Sequence, residues 1–213
     1  MIRSRRTALG LLPAAAAASF VAPALAQTAA KPPVDPERER FETAMIADQY
    51  ATASRAAVRL AEALGRDPAT QVFGNPAGDV TFVEFSDYQC SFCKAAEPRI
   101  RAAVAADGNV RWVLKEFPIL GPSSITGTKV ALASVAQGKY QAVHHGLMDY
   151  RGQLTDERVF EIAQAAGVDV DRVKKEMDAP AIANQIIANF NLARQLRIVV
   201  VPGFVFNGRV LAG

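Results

Sequence analysis

The sequence is poor in side chains that bind metals, with only two cysteines and two histidines among its 213 residues. A structural zinc centre needs four such ligands. The two histidines, His144 and His145, are adjacent, and neighbouring residues on a helix point in different directions, so we expect that they do not act together. We therefore expect no metal site, and nothing in the composition calls for a cofactor.

Acidic residues are absent from residues 1–26, which contain three arginines, and this absence explains the excess of positive charge. The whole chain has a net charge of +3, but residues 27–213 carry 21 basic and 21 acidic residues. A nucleic-acid-binding protein usually shows a clustered excess of lysine and arginine. We therefore expect no nucleic-acid partner.

The N-terminal apolar run, residues 8–21, is shorter than the roughly 20 residues that a membrane span needs. It follows a basic start and leads to Ala24-Leu25-Ala26, the small-x-small pattern of a cleavage site. Residues 4–9 partly match a twin-arginine signal. We expect a signal peptide over 1–26 and, in a bacterium, export to the periplasm, where disulfides persist.

Residues 27–38 are rich in alanine, proline and lysine and are predicted to form a linker. Apolar side chains then recur on one helical face, which predicts an N-terminal helix over 39–66. That face consists of Ile46, Tyr50, Ala53, Ala57, Leu60 and Leu64. Our preferred interpretation is that it packs on the domain's own core. The alternative is oligomer assembly through residues 39–64.

The segment 80–117 is predicted to form a strand, a helix and a second strand. Residues 80–86 and 110–117 are rich in β-branched and aromatic side chains, and residues 91–106 have helical spacing. This order predicts a βαβ unit with parallel strands. Further helices are expected at 126–137, 139–150, 156–166, 170–177 and 182–196. The tail 198–211 is expected to form a strand that contains Pro202, a tight hairpin turn at Asn207-Gly208 and the start of another strand. The result is an α/β domain over 69–213.

The two cysteines, Cys90 and Cys93, lie at the junction between the first strand and its helix. Free N–H groups at a helix start stabilise a thiolate, so Cys90 is predicted to be a low-pKa nucleophile and Cys93 the resolving thiol. Lys94 adds a nearby positive charge. A structural disulfide is disfavoured because so short a loop constrains the unfolded chain little. Two inert buried cysteines remain an alternative.

Two further positions are candidates for the same site. Glu84 is a single carboxylate within an apolar strand, where burial would raise its pKa and suit it to relay a proton to or from Cys93. The alternative is an exposed charge at a sheet edge. Val201-Pro202 is an X-Pro bond before a strand, a place where a cis peptide can be held.

The stretch FVEFSDYQCSFCKAAEP (82–98), together with VVVPGFVFNG (199–208), resembles the DsbA-like thiol:disulfide oxidoreductases of the thioredoxin superfamily. The resemblance implies a thioredoxin fold with a helical insertion at about 124–170, here with an N-terminal helical extension. It also implies that Pro202 is a cis-proline beside the cysteines and that Val201 contacts the substrate backbone. The implied partners are thiols and disulfides of exported proteins and a membrane redox protein of the DsbB or DsbD type.

The chain departs from the family pattern at two places. Ser91-Phe92 stands between the cysteines where relatives usually carry proline or glycine first, and this dipeptide tunes thiolate stability. The family also continues past the last hairpin with a helix, which we expect to be missing after Gly213.

The sequence predicts a periplasmic enzyme that forms or exchanges disulfides in exported proteins, with oxidation favoured. A second hypothesis is a disulfide isomerase or reductase, assembled through residues 39–64. A third is a chaperone-like binding module that kept the fold and has no catalytic role.

Overall fold

A computed structural model describes residues 35–212, in which a five-stranded sheet is covered by helices on both faces. The strands are β1 (Gln71–Gly74), β2 (Val80–Ser86), β3 (Val110–Glu116), β4 (Gly203–Phe206) and β5 (Arg209–Ala212). Their order across the sheet is β1-β3-β2-β4-β5. The helices are α1 (Pro36–Arg59), α2 (Ala61–Gly65), α3 (Ser91–Asp107), α4 (Pro122–Ala133), α5 (Tyr140–Asp149), α6 (Asp156–Ala165), α7 (Val170–Glu176) and α8 (Pro180–Gln195). A 3₁₀ helix, Ser134–Gln137, follows α4.

The predicted βαβ unit is present as β2, α3 and β3. The strands β2 and β3 pair in parallel over their whole length, from Val80 opposite Val110 to Ser86 opposite Glu116. Helix α3 ends at Gly108, whose φ of 72° lies in the left-handed region that glycine adopts at a helix C-terminus. The remaining pairs, β1 with β3, β2 with β4 and β4 with β5, are antiparallel.

The strand expected over 198–207 forms only in its second half, as β4, and the expected start of another strand after the turn is confirmed as β5. Residues 198–201 form a loop, and β4 begins only at Gly203. Pro202 has no N–H to donate to a neighbouring strand, so the β-ladder starts after it. Val199 is 77 % exposed and Val200 48 % exposed. The apolar composition of this segment therefore indicated a strand where the chain forms a surface loop.

The N-terminal helix begins at Pro36, inside the predicted linker, and the side chain of Asp35 caps it by accepting from the N–H of Glu37. It breaks at Leu60 before the short α2. The predicted signal peptide and the linker up to residue 34 lie outside the described residues. No helix within residues 35–212 has the length and apolar character to cross a membrane.

The apolar face of α1 is only partly covered. Ala53 and Ala57 are buried, whereas Ile46 and Tyr50 are 53 % and 41 % exposed. Our preferred interpretation, that this face packs on the domain core, therefore holds for the second half of the helix and not for the first.

Each face of the sheet has its own apolar core. On one face, Val83 and Phe85 of β2 pack with residues of α1, α8 and β4. On the other, Trp112 of β3 packs with both cysteines and with the helices of the insertion, α4 to α7. Side chains alternate along a strand, so Glu84 points to the face opposite Val83 and Phe85. Its bond to the Trp112 indole confirms that it lies on the cysteine side.

Candidate active site

Cys90 is the N-cap residue of α3, and this position aims its sulfur at the free N–H groups of the first turn. The Cys93 N–H donates to Cys90 Sγ over 3.2 Å. In its thiol form Cys90 also donates to the carbonyl oxygen of Val201 over 3.4 Å. The Val201–Pro202 peptide bond is cis. The structure thus brings together four of the residues that the sequence singled out, from positions more than a hundred residues apart.

The two thiols have different proton affinities. The pKa of Cys90 is lowered from 9.0 to about 6, chiefly by a hydrogen bond from the Cys93 thiol and further by the backbone N–H groups of Cys93 and Phe92. Burial and the Asp87 charge oppose this effect. The pKa of Cys93 lies well above the ordinary value, because its thiol hydrogen is bound to Cys90 and its side chain is buried. Cys90 is the thiolate at neutral pH, and Cys93 keeps its proton.

The dipeptide between the cysteines lies at the surface. Phe92 is 73 % exposed and Ser91 is also exposed. Val199 and Val200, on the loop before the cis-proline, are exposed as well and line a groove with Ile46 and Tyr50 of α1. The exposed Phe92 ring therefore gives the surface beside the cysteine pair an apolar character.

Glu84 is completely buried, which excludes the alternative of an exposed edge charge. Its Oε2 accepts from the Trp112 indole N–H over 3.0 Å, and within residues 35–212 its Oε1 has no hydrogen-bond partner. Burial raises its pKa to about 8, and the charge of Glu97 adds to the rise. At neutral pH Glu84 is therefore mostly a protonated acid that can give up a proton.

Ser86 is a residue of this site that the sequence reasoning missed. It lies two positions after Glu84, on the same face of β2. Its hydroxyl is buried and lowers the pKa of both Glu84 and Cys93, so it lies near both groups, although it makes no hydrogen bond within residues 35–212. The strand alternation that located Glu84 could have identified Ser86 too.

Asp87 is a second missed residue, and it holds the loops around the site together. It is buried, and its carboxylate accepts from the backbone N–H groups of Ile119 and Leu120 at 2.8 and 2.9 Å. It also accepts from the Ser124 hydroxyl at 2.7 Å. Its position three residues before Cys90 could have marked it as part of the site. Its role could not be predicted, because the groups that it binds lie more than thirty residues further along the chain.

Lys94 does not face the thiolate as a free charge. Its ammonium group donates to the Tyr150 carbonyl oxygen over 2.8 Å, and burial lowers its pKa. The lysine thus connects the start of α3 to the end of α5 in the insertion. The low pKa of Cys90 comes chiefly from the cysteine pair and the helix start. The charge of Cys90 in turn raises the pKa of Lys94, so the two groups attract each other.

The expectation that His144 and His145 cannot act together is wrong. His144 Nε2 and His145 Nδ1 lie 3.2 and 3.3 Å from the same oxygen, Oε1 of Glu97. The two side chains do leave α5 in different directions, but Glu97 on the facing helix α3 reaches a point that both rings approach. These three residues form the one group within residues 35–212 whose donor atoms cluster as metal ligands do.

Comparison with known proteins agrees with this geometry. Residues 81–213 match the family described as DSBA-like thioredoxin domain. A thioredoxin-like oxidoreductase from Silicibacter pomeroyi DSS-3 shares 39 % identity, with a TM-score of 0.70 over 71 % of this chain and 88 % of that one. A periplasmic thioredoxin-like protein from Salmonella enterica serovar Typhimurium shares 27 % identity, with a TM-score of 0.64 over 72 % of this chain and 87 % of that one.

Among curated relatives, the chain matches the Na(+)/H(+) antiporter NhaA 3 of Salinispora tropica, with 26 % identity over 140 residues. The match covers 65 % of this chain and 22 % of the antiporter, so the chain spans about a fifth of the length of that relative. Because the match covers so small a part of the antiporter, it gives no reason to assign transport activity to this protein. The family match, by contrast, includes both cysteines, Glu84 and Pro202. The chain belongs to the family of DSBA-like thioredoxin domains, with the fold of a thiol:disulfide oxidoreductase.

Proposed function

We propose that this protein is a periplasmic thiol oxidase that transfers its Cys90–Cys93 disulfide to exported proteins. A substrate thiolate attacks Cys90 Sγ, a mixed disulfide forms, and the Cys90–Cys93 bond breaks with Cys93 leaving. A second substrate thiolate then attacks the substrate sulfur of the mixed disulfide, and Cys90 leaves as a thiolate. The substrate gains a disulfide and loses two electrons, which the protein now holds as its dithiol.

The observation that carries this proposal is the stabilised thiolate of Cys90. A thiol with a pKa of about 6 is a good leaving group at neutral pH, so the last step of oxidation is favoured. The same stabilisation favours the reduced protein over the disulfide, which makes the disulfide a stronger oxidant. The hydrogen bond from Cys93 and the helix start therefore both support transfer of the disulfide to the substrate.

Glu84 supplies the proton that the mechanism needs. When Cys93 leaves Cys90 it is a buried thiolate on the same side of the sheet as Glu84, which is mostly protonated because its pKa is about 8. Transfer of a proton from Glu84 to Cys93 moves the negative charge to the Glu84 carboxylate, which holds it at lower cost because the pKa of Cys93 is far higher. Ser86 lowers the pKa of both groups, and its hydroxyl, free of hydrogen bonds within residues 35–212, could assist this transfer.

The substrate lies, in this proposal, against the loop that ends in Val201 and Pro202. The Val201 carbonyl is directed at Cys90, and once Cys90 forms a mixed disulfide that carbonyl is free to accept from a substrate backbone N–H. Export to the periplasm is supported by the basic and apolar residues 1–26 and by the periplasmic relative from Salmonella. A membrane redox protein of the DsbB type would then reoxidise the dithiol.

The experiment is the oxidation of a model peptide with two cysteines, followed by mass spectrometry under anaerobic conditions. We expect the oxidised wild-type protein to form one peptide disulfide per chain. We also expect reduced Cys93→Ser, supplied instead with the disulfide-linked dimer of a one-cysteine peptide, to form a mixed disulfide at Cys90 and release one peptide thiol. This mixed disulfide should persist because the resolving thiol is missing. If Cys90→Ser oxidises the peptide as well as wild type does, the cysteine pair has no catalytic role and the binding-module hypothesis replaces this one.

A second candidate, a disulfide isomerase or reductase assembled through α1, is favoured by the exposed apolar side chains at the start of that helix. Phe41, Met45, Ile46 and Tyr50 are all 41 to 66 % exposed. An assembly that buries them would hold several reduced sites around one substrate. Light scattering tests this idea: Ile46→Glu should lower the mass to that of a monomer, while Ile187→Glu, at a similarly exposed position on α8, should not. A monomeric wild-type protein removes the assembly through α1.

A further inference from the structure

Glu97, His144 and His145 form a cluster of potential ligands beneath the cysteine pair. Glu97 lies one turn after Cys93 on α3, and the histidines lie on α5. Each residue offers one donor atom, and these atoms all lie within 4.8 Å of one another. Glu97 and His144 are completely buried, while the His145 side chain is 31 % exposed. The cluster is therefore enclosed on one side and open to solvent on the other.

Two of the three spacings match the coordination sphere of a small divalent cation, and the third, between the two histidine nitrogens, is within 4.8 Å. Bonds of roughly 2.0–2.1 Å from zinc to nitrogen and oxygen place neighbouring ligand atoms of a tetrahedron about 3.4 Å apart. Glu97 Oε1 lies 3.2 Å from His144 Nε2 and 3.3 Å from His145 Nδ1. Two imidazoles and one carboxylate, with a fourth position left open, form a common ligand set for zinc.

The hydrogen bonds around His144 place the imidazole hydrogen on Nδ1 and leave Nε2, the nitrogen that faces Glu97, without one. The Tyr88 hydroxyl donates its only hydrogen to Glu116 Oε1 over 2.6 Å, so at 3.0 Å it must accept from His144 Nδ1. Glu116 also accepts from the hydroxyls of Tyr140 and Thr128, which is the pattern of an ionised carboxylate. A neutral imidazole that donates from Nδ1 has a bare lone pair at Nε2, and here that lone pair faces a carboxylate oxygen.

One oxygen of the Glu97 carboxylate is also free to accept a hydrogen bond or bind a cation. Its Oε2 is buried and has no hydrogen-bond partner within residues 35–212. Buried polar atoms are normally satisfied, and an orphaned one calls for an explanation such as a bound ion. The lone pair inferred at His144 Nε2 and the orphaned oxygen of Glu97 both point to a cation at this place in addition to the nearby Arg101 guanidinium.

We propose that Glu97, His144 and His145 bind one zinc ion, or a divalent cation of similar size and preference, in a site separate from the Cys90–Cys93 pair. The Tyr88 hydroxyl fixes the tautomer of His144 as an outer hydrogen-bond partner usually does for a metal-binding histidine. The open fourth position faces the solvent side of His145 and takes water.

Arg101 is the one feature of the site that competes with a cation. Its Nε lies 3.6 Å from Glu97 Oε1, but its guanidinium also pairs with Asp149 at 2.8 Å. Because the Arg101 side chain is 31 % exposed, it can keep the Asp149 contact and move away from Glu97. Removal of its charge should therefore strengthen binding of the cation.

The test is a titration with zinc chloride in competition with a chromophoric chelator. It uses the full chain with Cys90→Ser and Cys93→Ser, because free thiols bind zinc themselves. We expect one zinc ion per chain. His145→Asn, at a partly exposed position, should weaken binding by about a hundredfold, at the upper end of what loss of a supporting group costs. Arg101→Gln should strengthen it, and Gln141→Ala, exposed on the same helix, should leave it unchanged.

A circular dichroism spectrum and melting curve of each variant without zinc separate loss of a ligand from loss of the fold. The oxidised wild-type chain, whose cysteines are held in their disulfide, provides a second form in which the same stoichiometry is expected. The proposal is overturned if neither form binds zinc, or if His145→Asn binds zinc as tightly as its parent.

Discussion

Replacement of Cys93 by alanine should raise the pKa of Cys90 from about 6 to between roughly 7 and 8. The largest cause of the low pKa is the hydrogen bond from the Cys93 thiol to Cys90, and alanine removes it. Hydrogen bonds to charged groups contribute about 1.5–3 kcal/mol. At about 1.36 kcal/mol for each pH unit, their loss raises the pKa by about one to two units. The backbone N–H groups of Cys93 and Phe92 remain and keep the pKa below 9.0.

The assay is the rate of alkylation of Cys90 by iodoacetamide as a function of pH, followed by mass spectrometry. Only the thiolate reacts, so the midpoint of the rate profile reports the pKa. Since the chain has only two cysteines, the alanine variant carries a single thiol and the reading is unambiguous. At pH 7 the thiolate fraction should fall from about 90 % in wild type to between roughly 10 and 50 %.

Cys93→Ser is the matched control, because a hydroxyl keeps a donor at the same place. Its midpoint should stay closer to that of wild type than the midpoint of the alanine variant does. The reasoning is refuted if alanine and serine give the same midpoint near 6, because the Cys93 side chain would then have no part in the low pKa. A wild-type midpoint near 9 would refute it more completely.

Three other substitutions test the surroundings of the site. In the oxidised protein the free energy of unfolding should fall by up to about 1.36 kcal/mol per pH unit as the pH rises from 4.5 towards 8, because Glu84 binds its proton more tightly in the folded state. Denaturant titrations of Glu84→Gln should no longer show this fall. Gly203→Ala should destabilise the fold by about 1–3 kcal/mol, since its Cβ would lie 2.5 Å from Ile198 Cγ2. Tyr88→Phe should cost about 1–3 kcal/mol in the same titrations, because buried Glu116 loses a donor.

Local patterns in the sequence were sufficient to predict the parts of the fold that depend on local chemistry. Strand β2 and helix α3 lie where periodicity placed them, because alternation and capping are signals carried by a few neighbouring residues. The Asn207-Gly208 turn is present, with positive φ at both residues, as a tight hairpin turn requires.

Features that depend on distant contacts could not be predicted in this way. Strand β1 has four residues and ends in Gly74, so it carries almost no periodic signal and exists because β3 offers it a partner. The convergence of His144 and His145 depends on Glu97, which lies on another helix. Helix geometry correctly predicts that adjacent side chains leave α5 in different directions. It carries no information on the residue of a neighbouring helix that both side chains can reach.

The reduction potential of the Cys90–Cys93 couple tests the central claim most directly. At pH 7 a pKa of about 6 instead of 9.0 stabilises the reduced form by about 1.4 kcal/mol, which makes the disulfide more oxidising by about 30 mV. In a redox titration against glutathione, the account predicts a potential clearly above the value of about −270 mV typical of thioredoxin, in the direction of about −120 mV. A potential at or below about −270 mV would contradict the assignment as an oxidase.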